Sequence, residues 1–378
     1  MCLTGPLAGL ISKGVSVPHP NSVFVDSSVD VDRIHASVTL LPGTRLEGAT
    51  LSIGPDCVIG KETPATVIDC QLGKGVILSG GFHQGSVFLD GSAVGSSAHI
   101  RPGCLLEEEA SVAHAVGLKQ TLLFPFVTLG SVINFCDVWM TGGTSRKNHS
   151  EVGSSFIHFN FTPHSDKATP SLLGDPATGI LLNQPPVFLG GQGGIVGPVE
   201  MSHGVIQAAG SICRKDLLDE GHLYQSSVPQ ERWQPYQVGQ IKDVQGRIRK
   251  NLTFMGSLVA LRSWYTDFRS IVMSPDASTQ ACLEGATSLL DGSVQERCKQ
   301  LEKMMNLAGE SLDLMERLRQ EIAVEIESSE LRKMAERVLP KFGNGYTQGI
   351  QALDPEDGEV IVNFFKRQQQ RYVNLADR

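Results

Sequence analysis

The stretch VGSSAHIRPGCLLEEEASVAHAVGLKQ, Val94 to Gln120, returns an aliphatic residue at every sixth position: Val94, Ile100, Leu106, Val112 and Leu118. Six does not fit a helix of 3.6 residues per turn, but it is a multiple of two, so short strands joined by regular corners can carry it. Ile53 and Ile59 in LSIGPDCVIGKE repeat the spacing, each followed by Gly, and so do Val199 and Val205 in VEMSHGVIQAAG. Hexapeptide repeats signal a β-helix in which each coil covers the next. Three of them, about eighteen residues, close one triangular coil of the left-handed form. Arg101 and Lys119 lie eighteen residues apart, so the two cations are expected to stack on one face.

At 378 residues, the chain can bury one large core or two to three ordinary domains. A formal net charge of −8 excludes nucleic acid or an anionic membrane as the main partner, because both need a concentrated basic surface. It leaves room for a local basic pocket that takes a small phosphate. No apolar run approaches the length of a membrane span, and MCLTGPLAGLISKGVSV lacks the basic segment and long apolar core of a signal peptide. The expected compartment is the cytoplasm. The eight cysteines are scattered without a CxxC pair, which points to buried thiols rather than a disulfide framework or a zinc knuckle.

Two grammars divide the chain. Residues 13–219 are rich in Gly, Val, Ile and Ser, with turn residues after nearly every short apolar segment. Residues 220–250 read as a linker. From 251 to 378 Leu, Met, Glu, Lys and Arg recur at helical spacing; Leu301, Met304, Ala308, Met315, Leu318 and Ile322 form one stripe of one long helix or two in tandem. The fold class expected is mainly β, a left-handed parallel β-helix (hexapeptide repeat) followed by an α-helical C-terminal domain. That domain has a packed core and is placed to cap the open end of the coils. The repeats vanish in MTGGTSRKNHSEVG and PATGILLNQPP, read as loops that close over a cleft.

From GVSVPHPNSVFVDSSVDVDRI through VGPVEMSHGVIQAAGSICRKDL the chain resembles the acetyltransferase half of the bifunctional enzymes that acetylate glucosamine-1-phosphate and then uridylylate it to UDP-N-acetylglucosamine. The similarity excludes the helical tail, and no Gly-rich nucleotide-binding loop of the family's uridyltransferase domain is found, so an acyltransferase is implied rather than a pyrophosphorylase. The family's RPG arginine falls on Arg101 in IRPGC and its lysine on Lys119 in VGLKQ, the pair that holds the sugar phosphate. The asparagine of its C-N-Y motif matches Asn160 in FIHFNFTPHSDK, and the lysine after it matches Lys167. Ser154, Gly191 and Ala209 fall on positions that contact acetyl-coenzyme A. The resemblance also implies a homotrimer.

The departures bear on catalysis. The family's G-H-L-T-Y motif supplies a basic histidine, and the aligned stretch here is GSVINF. Ser131 replaces that histidine and Asn134 the tyrosine; a serine is no base near neutral pH, and Asn134 stands with His149 and His158 as a catalytic candidate. His149, His158 and His164 stand near Asn160, and three readings stay open for them: a relocated general base (His149 or His158), a metal site as in hexapeptide carbonic anhydrases, or packed loop residues. No metal is assumed. His99 and His114 flank the cation pair, either touching the phosphate or packing at coil corners, and LEEEA (Leu106 to Ala110) reads as a solvated corner. Two functions follow: an acyl-CoA-dependent acyltransferase acting on a sugar phosphate or nucleotide sugar, or a non-catalytic sugar-nucleotide sensor or assembly scaffold that has lost its histidine.

Overall fold

The structure is a computed structural model that describes residues 5–161, 163, 166–227, 231, 233–235 and 241–377. Three parallel sheets run the length of the N-terminal region. The first face has ten strands, from Phe24–Val25 to Ile212–Cys213; the second has eight, from Ser52–Ile53 to Glu200–Met201; the third has ten, from Thr39–Leu40 to Leu223–Tyr224. The chain visits them in turn. Ile100 on the first face is followed by Leu106 on the second and Val112 on the third, and Leu118 then pairs with Ile100 one coil on. All four are buried in the interior. The hexapeptide period is therefore the spacing of inward side chains, one per face, and the fold class expected from the sequence is the one observed.

One end of the interior is closed by the helix Pro6–Lys13, whose Leu7 and Leu10 join the core of the coils. The C-terminal helices do not cap an end, as the sequence suggested. They lie along the second face, where the outward positions are apolar too: Val87, Leu105, Leu122, Trp139 and Leu172 form one column across successive coils. This column shares a core with the helices Val244–Trp264, Ala277–Ala308 and Pro355–Val373. Trp139 packs edge-on against Phe254, with ring centroids 6.0 Å apart. Leu301, Met304, Met315 and Leu318 of the predicted stripe are buried, but Gly309, in the left-handed conformation at φ 72°, ends the long helix and starts a new one at Asp313. Among the described residues no helix is long and apolar enough to cross a membrane.

The two repeat-free loops, expected to close over a cleft, meet the tail. Gln351 from the tail donates its side-chain amide to the carbonyls of Thr144 and Leu182, one in each loop. They form docking sites for the helices.

LEEEA is likewise not a solvated corner. Glu107 and Glu108 are buried against Arg269, which is fully buried and belongs to a π-helical turn, Tyr265–Arg269. Tyr265 donates its hydroxyl to Glu107 at 2.6 Å, and the Arg269 guanidinium lies 3.6 Å from the centre of the Tyr346 ring. Two carboxyls facing one guanidinium in a dry site favour keeping one proton. Burial pushes the Glu108 carboxyl up from 4.5 to about 7 despite the pull of Arg269, and Glu107 is raised by burial as well.

A carboxyl that holds its proton more tightly in the folded than in the unfolded chain stabilises the fold below its unfolded pKa and loses that stabilisation as pH rises through the folded value. Buried His83 and His158, both held down to about 4 by burial, act in the opposite sense as pH falls below 6.5. The comparison that isolates the corner is therefore Glu108→Gln against wild type in urea unfolding. Wild type is expected to lose stability relative to the variant between about pH 4.5 and about pH 7, with no further divergence above. Arg269→Met, which leaves both carboxyls without their cation, is expected to cost about 3–5 kcal/mol.

Candidate functional site

The first face carries two corners of different chemistry. At its junction with the second face, Arg101, Lys119 and Cys136 stack on successive coils: the Arg101 N–H donates to the Leu118 carbonyl, and Lys119 pairs directly with Cys136. The eighteen-residue spacing therefore places both cations in one column, half-exposed. A rigid pair of this kind suits a phosphate, which needs convergent charged donors on a frame that does not move. Arg101 also reaches the Cys136 sulfur at 3.2 Å. Burial raises the Cys136 thiol above its ordinary range, so it stands beside the cations as a neutral group.

Asp137 follows Cys136 and is buried. Its carboxylate accepts from the Asn160 amide at 3.2 Å and from Arg297 of the long tail helix at 2.6 Å. Arg297 also donates to the Lys167 carbonyl at 3.4 Å. Asn251 donates to the Ala168 carbonyl at 3.0 Å, and Arg247 pairs with buried Asp166. Three side chains of the tail thus hold the segment that carries Asn160 and Lys167 next to the cation corner. Arg297, Arg247 and Asn251 were not foreseen as site residues, since each lies far along the chain from its partner.

At the junction of the third and first faces, small residues stack. The carbonyls of His114, Ser131, Ser154 and Gly191 accept in turn from Val132, Ser155, Gln192 and Gly210, so His114, Ser131, Ser154, Gly191 and Ala209 occupy one column on five successive coils. The coils touch backbone to backbone: a Cβ on Gly153 would lie 2.4 Å from the Gly191 nitrogen, and one on Gly190 would lie 2.3 Å from that of Ala209. Ser154, Gly191 and Ala209, expected at the acyl-donor site, are therefore brought together. Asn134 lies on the strand between the two corners with its side chain exposed, next to Gly117 of the preceding coil. That strand is Asn134–Cys136, and Ser131 and Val132 form the bend that leads into it.

The histidine candidates fare differently. His158 is not available as a base: it points into the coil interior, 2% exposed, with Nε2 2.8 Å from the Ser171 hydroxyl. Burial, with the nearby Arg297 charge, holds it neutral and down to about 4. His149 pairs with Gly143 in a hairpin between the second and third faces, and the chain does not bring it to either corner of the first face. His164 lies outside the described residues. Among the described residues no three His, Cys, Asp or Glu side chains converge as metal ligands, and His149 and His158 are on different strands of different sheets. His99 sits on the first face against the Phe82 ring, 5.2 Å between centroids. His114 is not beside the cations. It lies at the opposite corner, exposed, with Nδ1 2.9 Å from the Ser131 hydroxyl oxygen.

No family model matches the chain. Curated relatives do: the bifunctional protein GlmU of Pseudarthrobacter chlorophenolicus is 29% identical over 204 residues, 54% of this chain and 37% of that protein. The same protein of Shouchella clausii is 27% identical over 207 residues, 54% of this chain and 40% of its own length. The chain thus spans less than half the length of these relatives, and the resemblance lies in their acetyltransferase half. Among solved structures, LpxA from Acinetobacter baumannii is similar at 13% identity and a TM-score of 0.26, covering 79% of this chain and 98% of that one. An Arabidopsis UDP-N-acetylglucosamine acyltransferase follows at 14% and 0.21, covering 82% and 90%. At such scores neither likeness bears on the site.

Removal of the Arg297 guanidinium is expected to free the segment that carries Lys167 while the coils persist. In Arg297→Ala, amides of residues 166–169 should exchange with solvent about tenfold faster or more, whereas those of the coil strands Gly117–Lys119 and Leu122–Leu123 keep their protection.

Proposed function

We propose that the chain binds a sugar phosphate or nucleotide sugar on its first face and transfers to it an acyl group from coenzyme A. The observation that carries this reading is the stacking of Arg101 over Lys119 at one end of a strand whose other end opens onto the small-residue column of Ser154, Gly191 and Ala209. The cations would hold the phosphate, with Asn160 and Lys167 beside them. The exposed outward edge of the strand, at Gly117 and Asn134, would accommodate the sugar. Where side chains are small, a thioester can lie against backbone. Catalysis would come from holding acceptor and donor at reacting distance, with a base and a donor to the oxyanion. The similarity to the acetyltransferase half of GlmU supports the class of reaction.

The reading extends to assembly. Val132, Ile157, Phe188 and Ile206 stand exposed on the first and third faces, at 54%, 38%, 41% and 43%, whereas the second face is covered by helices. A homotrimer in the cytoplasm, with the donor cleft between coils of neighbouring subunits, would cover these apolar positions. Light scattering is expected to return three times the chain mass.

A second reading has its own observation. Ser131 occupies the position of the relatives' base, so a chain that keeps the phosphate cations and lacks transfer would be a sugar-nucleotide sensor or scaffold. Calorimetric titration with glucosamine-1-phosphate, UDP-N-acetylglucosamine and acetyl-coenzyme A, followed by a thiol-release assay, separates the two. A transferase binds both a sugar phosphate and the thioester and releases coenzyme A; a sensor binds the sugar alone. On either reading Lys119→Ala and Arg101→Ala should each weaken sugar-phosphate binding about 10- to 100-fold, the worth of a charged hydrogen bond.

A further inference from the structure

The geometry points to His114 as the general base of the transfer, held for that task by Ser131; the inference rests on the acyltransferase reading above. Ser131 sits between two coils. Its backbone N–H donates to the Ser154 hydroxyl at 3.2 Å on the coil that follows, and its own hydroxyl oxygen lies 2.9 Å from His114 Nδ1 on the coil before. The imidazole is therefore tied into the same column as Ser154, Gly191 and Ala209, where the acyl donor is expected. It is also exposed, unlike His158, so an acceptor can reach it.

The bond to Ser131 joins a ring nitrogen to a hydroxyl that can accept or donate, and the base is the tautomer in which the hydroxyl accepts. An imidazole whose Nδ1–H is donated to a fixed oxygen presents an unprotonated Nε2 on its outer edge, and the partner of one ring nitrogen decides the role of the other. Ser131 Oγ accepts in that arrangement, so it orients the ring and takes no part in bond making. Serine at this position is then a positioning residue rather than a lesion. His114 Nε2 takes the proton from the acceptor N–H or O–H as that atom bonds to the thioester carbonyl carbon. The carbon–sulfur bond breaks, and the thiolate of coenzyme A leaves with the proton returned by the imidazolium. Atoms and charge balance without an added reactant. His99 has no such tie; it rests against Phe82.

The test is thiol release by the full chain with acetyl-coenzyme A and the sugar phosphate bound in calorimetry, measured across pH for wild type, His114→Gln, Ser131→Ala and Ser131→Thr. His114→Gln is expected to lose about 10²- to 10⁴-fold in kcat and to bind both ligands as wild type does. Ser131→Ala should lower kcat about tenfold with KM unchanged, and Ser131→Thr, which keeps the hydroxyl, should restore most of it. Undiminished turnover in His114→Gln overturns the assignment and leaves the transferase reading standing. A wild-type chain that binds both ligands and releases no coenzyme A overturns both. Retained ligand binding in each variant shows that the fold is intact.

Discussion

The outward apolar column of the second face is the constraint on which the rest depends. A β-helix needs only its inward side chains buried, and on the first and third faces of this protein outward apolar residues such as Phe24, Ile157, Phe188 and Ile206 stand exposed. On the second face Val87, Leu105, Leu122 and Trp139 point away from the interior and are nonetheless buried, because the tail helices lie across them. Non-directional apolar burial draws the helices to that face. The buried ion pairs then set their position along it. Arg269 engages Glu107 and Glu108 at one corner, and Arg297 engages Asp137 at the other. A shift of the tail by one coil would leave charges buried and unpaired, which costs several kcal/mol per ion.

This arrangement ties the tail to the candidate site. Asp137 is shared between Arg297 and Asn160, so the same carboxylate that anchors the long helix also holds a residue of the candidate site. The helices are therefore part of the site's supporting shell, and a residue expected to bind a ligand is placed accurately only when such a shell fixes its rotamer. The other end of the face is built differently. There the coils approach backbone to backbone at Gly153 and Gly190, and the column needs no support from the tail.

Much of the site was legible in the sequence once the coil length was known. Eighteen residues from Arg101 to Lys119 meant one coil, and the structure puts them in one column. The same arithmetic reaches His114, which lies seventeen residues before Ser131 and hence one coil below it, at a coil corner and away from the cations it was expected to flank. His158 misled because alternation along a strand was not applied: Ile157 and Phe159 point outward, so His158 must point in. The paired apolar residues Val87-Phe88, Leu105-Leu106 and Leu122-Leu123 were a signal that one face is buried on both sides. The partners of Glu107, Glu108 and Asp137 had no local signal, since Arg269 and Arg297 lie about 160 residues away.

By itself the sequence determined the period of six, the stacking of two cations one coil apart and the change from strands to helices near residue 250. These are local regularities, written in the spacing of side chains along the backbone and independent of what packs against it. Only the tertiary structure decided which face the helices cover, that two glutamates in an acidic corner are buried and share one guanidinium, and that an arginine of the tail holds the segment of Asn160 and Lys167. Those outcomes depend on apolar area and charge meeting across long stretches of chain, and no periodicity in either partner records the other.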